Sequence, residues 1–129
     1  MSTKVLFLLV MMAGGAGALC RYAVNEVTGR FIKTRYPFGT MVINTSGSFA
    51  AGFIAGYVLL HPAWMPDWAV IVLLSGFLGG YTTFSTWMLQ SIDLLRLKTT
   101  LRFVLNIALS IAFGIAAAAS GFALAGWVM

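Results

Sequence analysis

Gly76-Phe77-Leu78-Gly79-Gly80-Tyr81-Thr82-Thr83-Phe84-Ser85-Thr86-Trp87 lies inside an apolar stretch that runs from Trp68 to about Leu95. Its flanks read as a helix and its centre does not. Two adjacent glycines, followed by hydroxyl side chains at 82, 83, 85 and 86, weaken any helix there. Non-helical backbone at membrane depth persists only where protein buries it or where it lines a cavity. The stretch therefore predicts a spanning helix broken near its middle. The carbonyls freed by such a break can be satisfied by a bound cation, as in discontinuous transporter helices. Beyond the break, Phe84 and Trp87 share a face at i, i+3. Their ring edges carry the positive part of the quadrupole, so an anion can rest against them. Ordinary aromatic packing is the other reading of that spacing.

Working outward, the chain has 129 residues, 60% of them hydrophobic and 9% charged, with mean hydropathy +0.95. Soluble domains carry about 45–50% apolar and about 25% charged residues. That excludes a cytosolic enzyme, a nucleic-acid binder and a disordered chain. A crossing takes about 20 residues, so the chain reads as one all-α integral membrane domain over 1–129. Its four spans fall at about 4–27, 38–60, 68–95 and 100–129. His61, Pro62, Pro66 and Asp67 mark the turn between the second and third. Lys4 before the apolar run Val5 to Met12 has the look of a signal segment. Leu19 before Cys20 suits a lipoprotein cleavage site poorly, and the segment reads as a retained span. The lone Cys20 excludes an internal disulfide and a cysteine metal cluster. Four helices enclose little pathway alone, so any transport function implies an oligomer.

Polar groups inside spans are costly and mark protein-facing or wet surfaces. Arg21 lies within the first span, read either as a snorkelling side chain or as a cation that concentrates anions at a vestibule. Glu26 is placed to pair loosely with it or with a loop cation. Asn44 and Ser48 share a face of the second span, and Asn106 and Ser110 repeat the i, i+4 pair in the fourth. A carboxamide can donate to an anion that has shed water; it can equally make an interhelical hydrogen bond. Two polar stripes on separate helices suggest a wetted seam. Ser48, Gly52 and Gly56 form a small face that lets another helix approach closely, and Gly14, Gly15 and Gly17 do the same in the first span.

The string Gly79-Gly80-x-Thr82-Thr83-Phe84-Ser85-Thr86 resembles the Fluc (CrcB) family of bacterial fluoride channels. Arg21-Tyr22 and Pro37-x-Gly39-Thr40-x-x-x-Asn44 occur in the family's order, so the resemblance covers essentially the whole chain. It implies an antiparallel, dual-topology dimer in the bacterial inner membrane, with fluoride pathways at the subunit interface. It also implies a structural sodium ion at the dimer centre, held by the main-chain carbonyls of Gly79 and Thr82. Asn44 matches the pore asparagine, Arg21 the vestibule arginine and Phe84 the first phenylalanine of an aromatic box. Thr83 belongs to the same fluoride pathway, and Ser110, with Asn106 nearby, falls where the fourth helix supplies a polar track. Trp87 replaces the second box phenylalanine, and Gln90 replaces a common glutamate.

Charge bears on the partner. Arg30, Lys33, Arg35, Arg96, Lys98 and Arg102 lie on one side, against Lys4 on the other. This bias favours a single orientation with both termini outside, and it admits an oppositely oriented paralogue as well as an identical copy. Passive fluoride export is the function expected. Two rivals are a non-conducting partner subunit and a small multidrug-type exporter. The exporter needs a deep carboxylate, and Glu26, Asp67 and Asp93 all lie near span ends.

Overall fold

The structure, a computed structural model, describes residues 2–128. Four helical spans cover Thr3–Phe31, Phe38–Leu60, Asp67–Arg96 and Thr100–Ala125, each long and apolar enough to cross a membrane. Helix α1 (Thr3–Phe31) starts where the Ser2 hydroxyl accepts the Val5 N–H at 3.5 Å. It continues four residues past the expected end at Val27, because Thr28, Gly29, Arg30 and Phe31 stay helical. Arg30 in that last turn complements the negative end of the helix dipole. Helix α2 (Phe38–Leu60) opens directly after Pro37 and stops before His61-Pro62.

The third span is composite. Helix α3 (Asp67–Ile71) follows Pro66, with Asp67 in its first turn, and runs into a π-helical stretch, Val72–Leu78. A single turn, α4 (Gly79–Tyr81), precedes an extended Thr82, and α5 (Ser85–Arg96) resumes the helix. Helix α6 (Thr100–Ala125) completes the fold; of the residues expected in the fourth span, Met129 lies outside those described.

Backbone-to-backbone packing at glycines sets the arrangement. The small face of α2 meets α6: a Cβ on Gly52 would overlap the Ala118 carbonyl, and one on Gly56 would come within 3.0 Å of Ala125 Cβ. Gly121 of α6 is equally close to the Phe49 carbonyl of α2. On the other side, Gly17 of α1 lies against the Phe77 carbonyl and Gly80 against that of Gly14. Such contacts supply dispersion where lipid provides no hydrophobic drive between helices.

The interior is small and unusually polar. The buried apolar side chains are Met41, Ile43, Leu78, Leu94 and Ala125; Thr40, Thr83, Ser91 and Asn106 are buried beside them. Large apolar residues instead point outward, among them Met12, Leu19 and Leu101. This inversion of a soluble core suits a chain whose outer solvent is hydrocarbon. It leaves the covered polar groups to be satisfied by one another.

Candidate functional site

The interruption between α4 and α5 is held open by a side chain 39 residues away. Thr83 N–H donates to Asn44 Oδ1 at 2.9 Å, and Asn44 Nδ2 donates to the Thr83 carbonyl at 2.9 Å. Asn44 thus pairs with the backbone of Thr83 as a neighbouring strand would. In a continuous helix that Thr83 N–H would go to the Gly79 carbonyl, so the pairing releases Gly79. Thr82 takes ψ 161, while its N–H and Oγ1 both donate to the Leu78 carbonyl at 2.9 Å. Thr83 Oγ1 accepts the Thr86 N–H at 3.2 Å, which caps the restart of the helix. Its own hydrogen goes to Thr86 Oγ1 at 3.1 Å. Upstream, Gly79 N–H reaches back to the carbonyls of Leu74 and Gly76, which widens the turn before the glycines.

Asn44, Gly79, Thr82, Thr83, Phe84, Trp87 and Ser110 all line one open cavity of about 680 Å³. Most residues singled out from the sequence therefore come together. Arg21 does not line it. Its guanidinium reaches the far side of the break, where Nη1 donates to the Thr82 carbonyl over 3.4 Å. There it borders a second cavity of about 310 Å³ with Thr40, Thr83, Thr86 and Gln90. Glu26 makes no ion pair among the described residues; the one ion pair there joins Arg96 and Asp93 at 3.6 Å, near the end of α5.

Phe84 and Trp87 form an edge-to-face pair, with centroids 5.6 Å apart and planes at 74°. Phe84 is 69% exposed, and the chain's own helices leave its ring open. Asn106, expected beside Ser110 on a seam, donates from Nδ2 to Ser91 Oγ at 2.9 Å. Ser91 in turn donates to the Trp87 carbonyl at 2.7 Å. Sequence reasoning missed Ser91 and Tyr81, whose hydroxyl bonds Ser46 at 2.8 Å. Ser91 stands in neither polar stripe; its one signal was its spacing of a turn from Trp87. For Tyr81 there was none.

These features define a class: a four-span helical membrane protein with an open, largely apolar cavity at the interruption of its third span. The family described as CrcB-like protein, Camphor Resistance (CrcB), matches residues 8–122, and the chain belongs to it. A protein from Rhodopseudomonas palustris, named fluoride-specific ion channel FluC, is 38% identical over 118 residues, covering 92% of this chain and 94% of its own. A Mycobacterium bovis protein named fluoride-specific ion channel FluC 2 is 35% identical over 119 residues, 92% of this chain and 90% of the relative. One of the same name from Nitrobacter hamburgensis is 46% identical over 85 residues, 66% and 68% of the two chains.

Proposed function

We propose that the chain forms a passive fluoride channel in the bacterial inner membrane, through which cytoplasmic fluoride leaves the cell. The observation that carries this reading is the cavity at the break, where anion-compatible groups gather without a carboxylate. Asn44 has one Nδ2 hydrogen beyond its bond to Thr83, the Phe84 and Trp87 rings offer edges, and Ser110 offers a hydroxyl. Arg21 raises the local anion concentration beyond the break. The ion exchanges water for weak contacts, so that it can also leave. Fluoride efflux from liposomes holding purified protein tests the function, with chloride as control. Wild type passes fluoride and not chloride; Phe84→Ile, which removes an exposed aromatic edge, abolishes the flux and leaves assembly intact. Unchanged flux in that variant sinks the role given to Phe84.

The span's interruption is read as lying at membrane depth, facing an inverted second subunit that covers Phe84. The charge asymmetry favours a single orientation, which admits a paralogue of opposite orientation as well as an identical copy. Accessibility mapping of terminal tags checks this: both termini are expected outside, and equal populations in both orientations remove the argument. Flux only after co-reconstitution with a paralogue identifies the chain as the non-conducting partner.

A sodium ion suits the donors available. Among the described residues no group of three His, Cys, Asp or Glu side chains gathers, so a cation must use other oxygens. The Gly79 carbonyl is released by the Asn44–Thr83 pairing, and the Thr82 carbonyl accepts only a long bond from Arg21. Backbone carbonyls are hard donors, and two from each subunit would make a four-oxygen set. The ion, when bound, supplies positive charge that neutralises carbonyl dipoles at the centre. Melting of the purified protein should shift upward, saturably, in sodium chloride relative to lithium or N-methylglucamine chloride. Identical melting in all three excludes a stabilising sodium site.

A further inference from the structure

The seam between α5 and α6 holds three buried polar groups without protein partners among the described residues: Trp87 Nε1, Asn106 Oδ1 and Ser110 Oγ. The direction of the Asn106 carboxamide follows from its neighbour. Ser91 has one hydrogen, and it goes to the Trp87 carbonyl at 2.7 Å. Asn106 must therefore offer its NH₂ to Ser91 Oγ, as the 2.9 Å contact has it, and its oxygen is left to accept elsewhere. That oxygen belongs to a side chain only 1% exposed. The two helices run antiparallel with Ser91 level with Asn106, so Trp87 and Ser110, one turn further along each, are level with each other. Trp87 and Ser110 thus each lie about one helical turn, ~5.4 Å, along their helix from the Ser91–Asn106 bond.

We propose that Trp87, Asn106 and Ser110 hold one water molecule between α5 and α6, and that this water directs a hydrogen into the cavity at the break. The chemistry selects the occupant. An indole nitrogen only donates, a carboxamide oxygen only accepts, and a hydroxyl does both. A bare halide can take the two hydrogens but then faces the Asn106 oxygen. A metal cation is opposed by the indole N–H. Water accepts from Trp87 and Ser110, donates to Asn106 and keeps its second hydrogen. Buried waters typically make about three such bonds. Trp87 and Ser110 also line the cavity that contains Asn44 and Thr83, which is where the fourth bond points. A phenylalanine at 87 has no donor with which to hold such a water. The water site stands without the fluoride reading; only its role as a donor to a passing anion rests on it.

The test uses full-length protein with ¹⁵N-labelled tryptophan in lipid nanodiscs, with the Trp87 indole signal assigned by its loss in Trp87→Phe. The Trp87 indole proton is expected to show direct cross-relaxation to water, equally in sodium chloride and in saturating sodium fluoride. Asn106→Leu loses that cross-peak. Should this variant fail to assemble, Ser110→Ala is expected to weaken the peak in a folded protein. Absence of the peak in wild type overturns the proposal. So does its replacement in fluoride by a coupling between the indole proton and ¹⁹F. A protein that shows the water peak but passes no fluoride retains the site and loses only the channel reading.

Discussion

Asn44→Leu is expected to abolish fluoride efflux and to destabilise the protein by about 2–6 kcal/mol. The size follows from what leucine leaves behind. Asn44 satisfies both the N–H and the C=O of Thr83, each at 2.9 Å, and Thr83 is only 8% exposed. Each buried backbone group stranded this way costs about 1–3 kcal/mol. The chain has a local alternative that keeps the cost from rising further. Thr83 N–H can return to the Gly79 carbonyl and continue the helix through the break. That repair moves Phe84 and everything after it, so the cavity loses its shape even where the protein still folds. Asn44→Asp tests the donor alone. As a carboxylate it keeps an acceptor for Thr83 N–H but sets an oxygen, in place of the donor, against the Thr83 carbonyl and adds negative charge in the cavity. Its flux should fall as far as that of Asn44→Leu, and its melting temperature should fall as well. Liposome efflux and thermal melting of the two variants check this, and wild-type flux in either one rules out Asn44 as the organiser of the break.

Gly80→Ala is expected to be at least as damaging, for a purely steric reason. A methyl group on Gly80 would overlap the carbonyl oxygen of Gly14 and lie 2.8 Å from its carbon. Both are backbone atoms, and no side-chain rotation relieves the contact. Overpacking a core typically costs about 1–3 kcal/mol when side chains can give way. Here α1 itself must move, so a loss of about 3 kcal/mol or more is expected. It exceeds the ~1 kcal/mol by which alanine improves on glycine in a helix. Gly15→Ala is the control, because a Cβ there meets open space. Size-exclusion profiles and melting temperatures should leave Gly15→Ala near wild type and reduce folded Gly80→Ala sharply. Equal behaviour of the two would mean that α1 does not pack as described.

Both predictions concern contacts that link distant parts of the chain, and the limits of sequence reading lie there. The helix-weakening composition of Gly79 to Thr86 was visible as local chemistry. So was the small face Ser48-Gly52-Gly56, whose spacing implied a close neighbour without saying that α6 would be that neighbour. Asn44 stood out as a costly amide with two readings, anion donor and interhelical bond, and the family resemblance set it in the pathway. The structure gives it the second role in full and leaves one hydrogen for the first. Asn106 read as half of a wet stripe with Ser110; its bond goes instead to Ser91, which carried no polar pattern of its own.

What the sequence alone determined is the solvent and the scale: a lipid-embedded bundle of four crossings with a weak point in the third. Hydrocarbon forces each crossing to satisfy its backbone locally, so composition and spacing are enough to find the spans and the place where that satisfaction fails. Only the tertiary structure decided which groups make good the failure. Asn44 at the break, Gly14 against Gly80 and Ser91 beneath Asn106 are choices made between helices. They depend on how closely two backbones approach, a quantity that no stretch of sequence contains by itself.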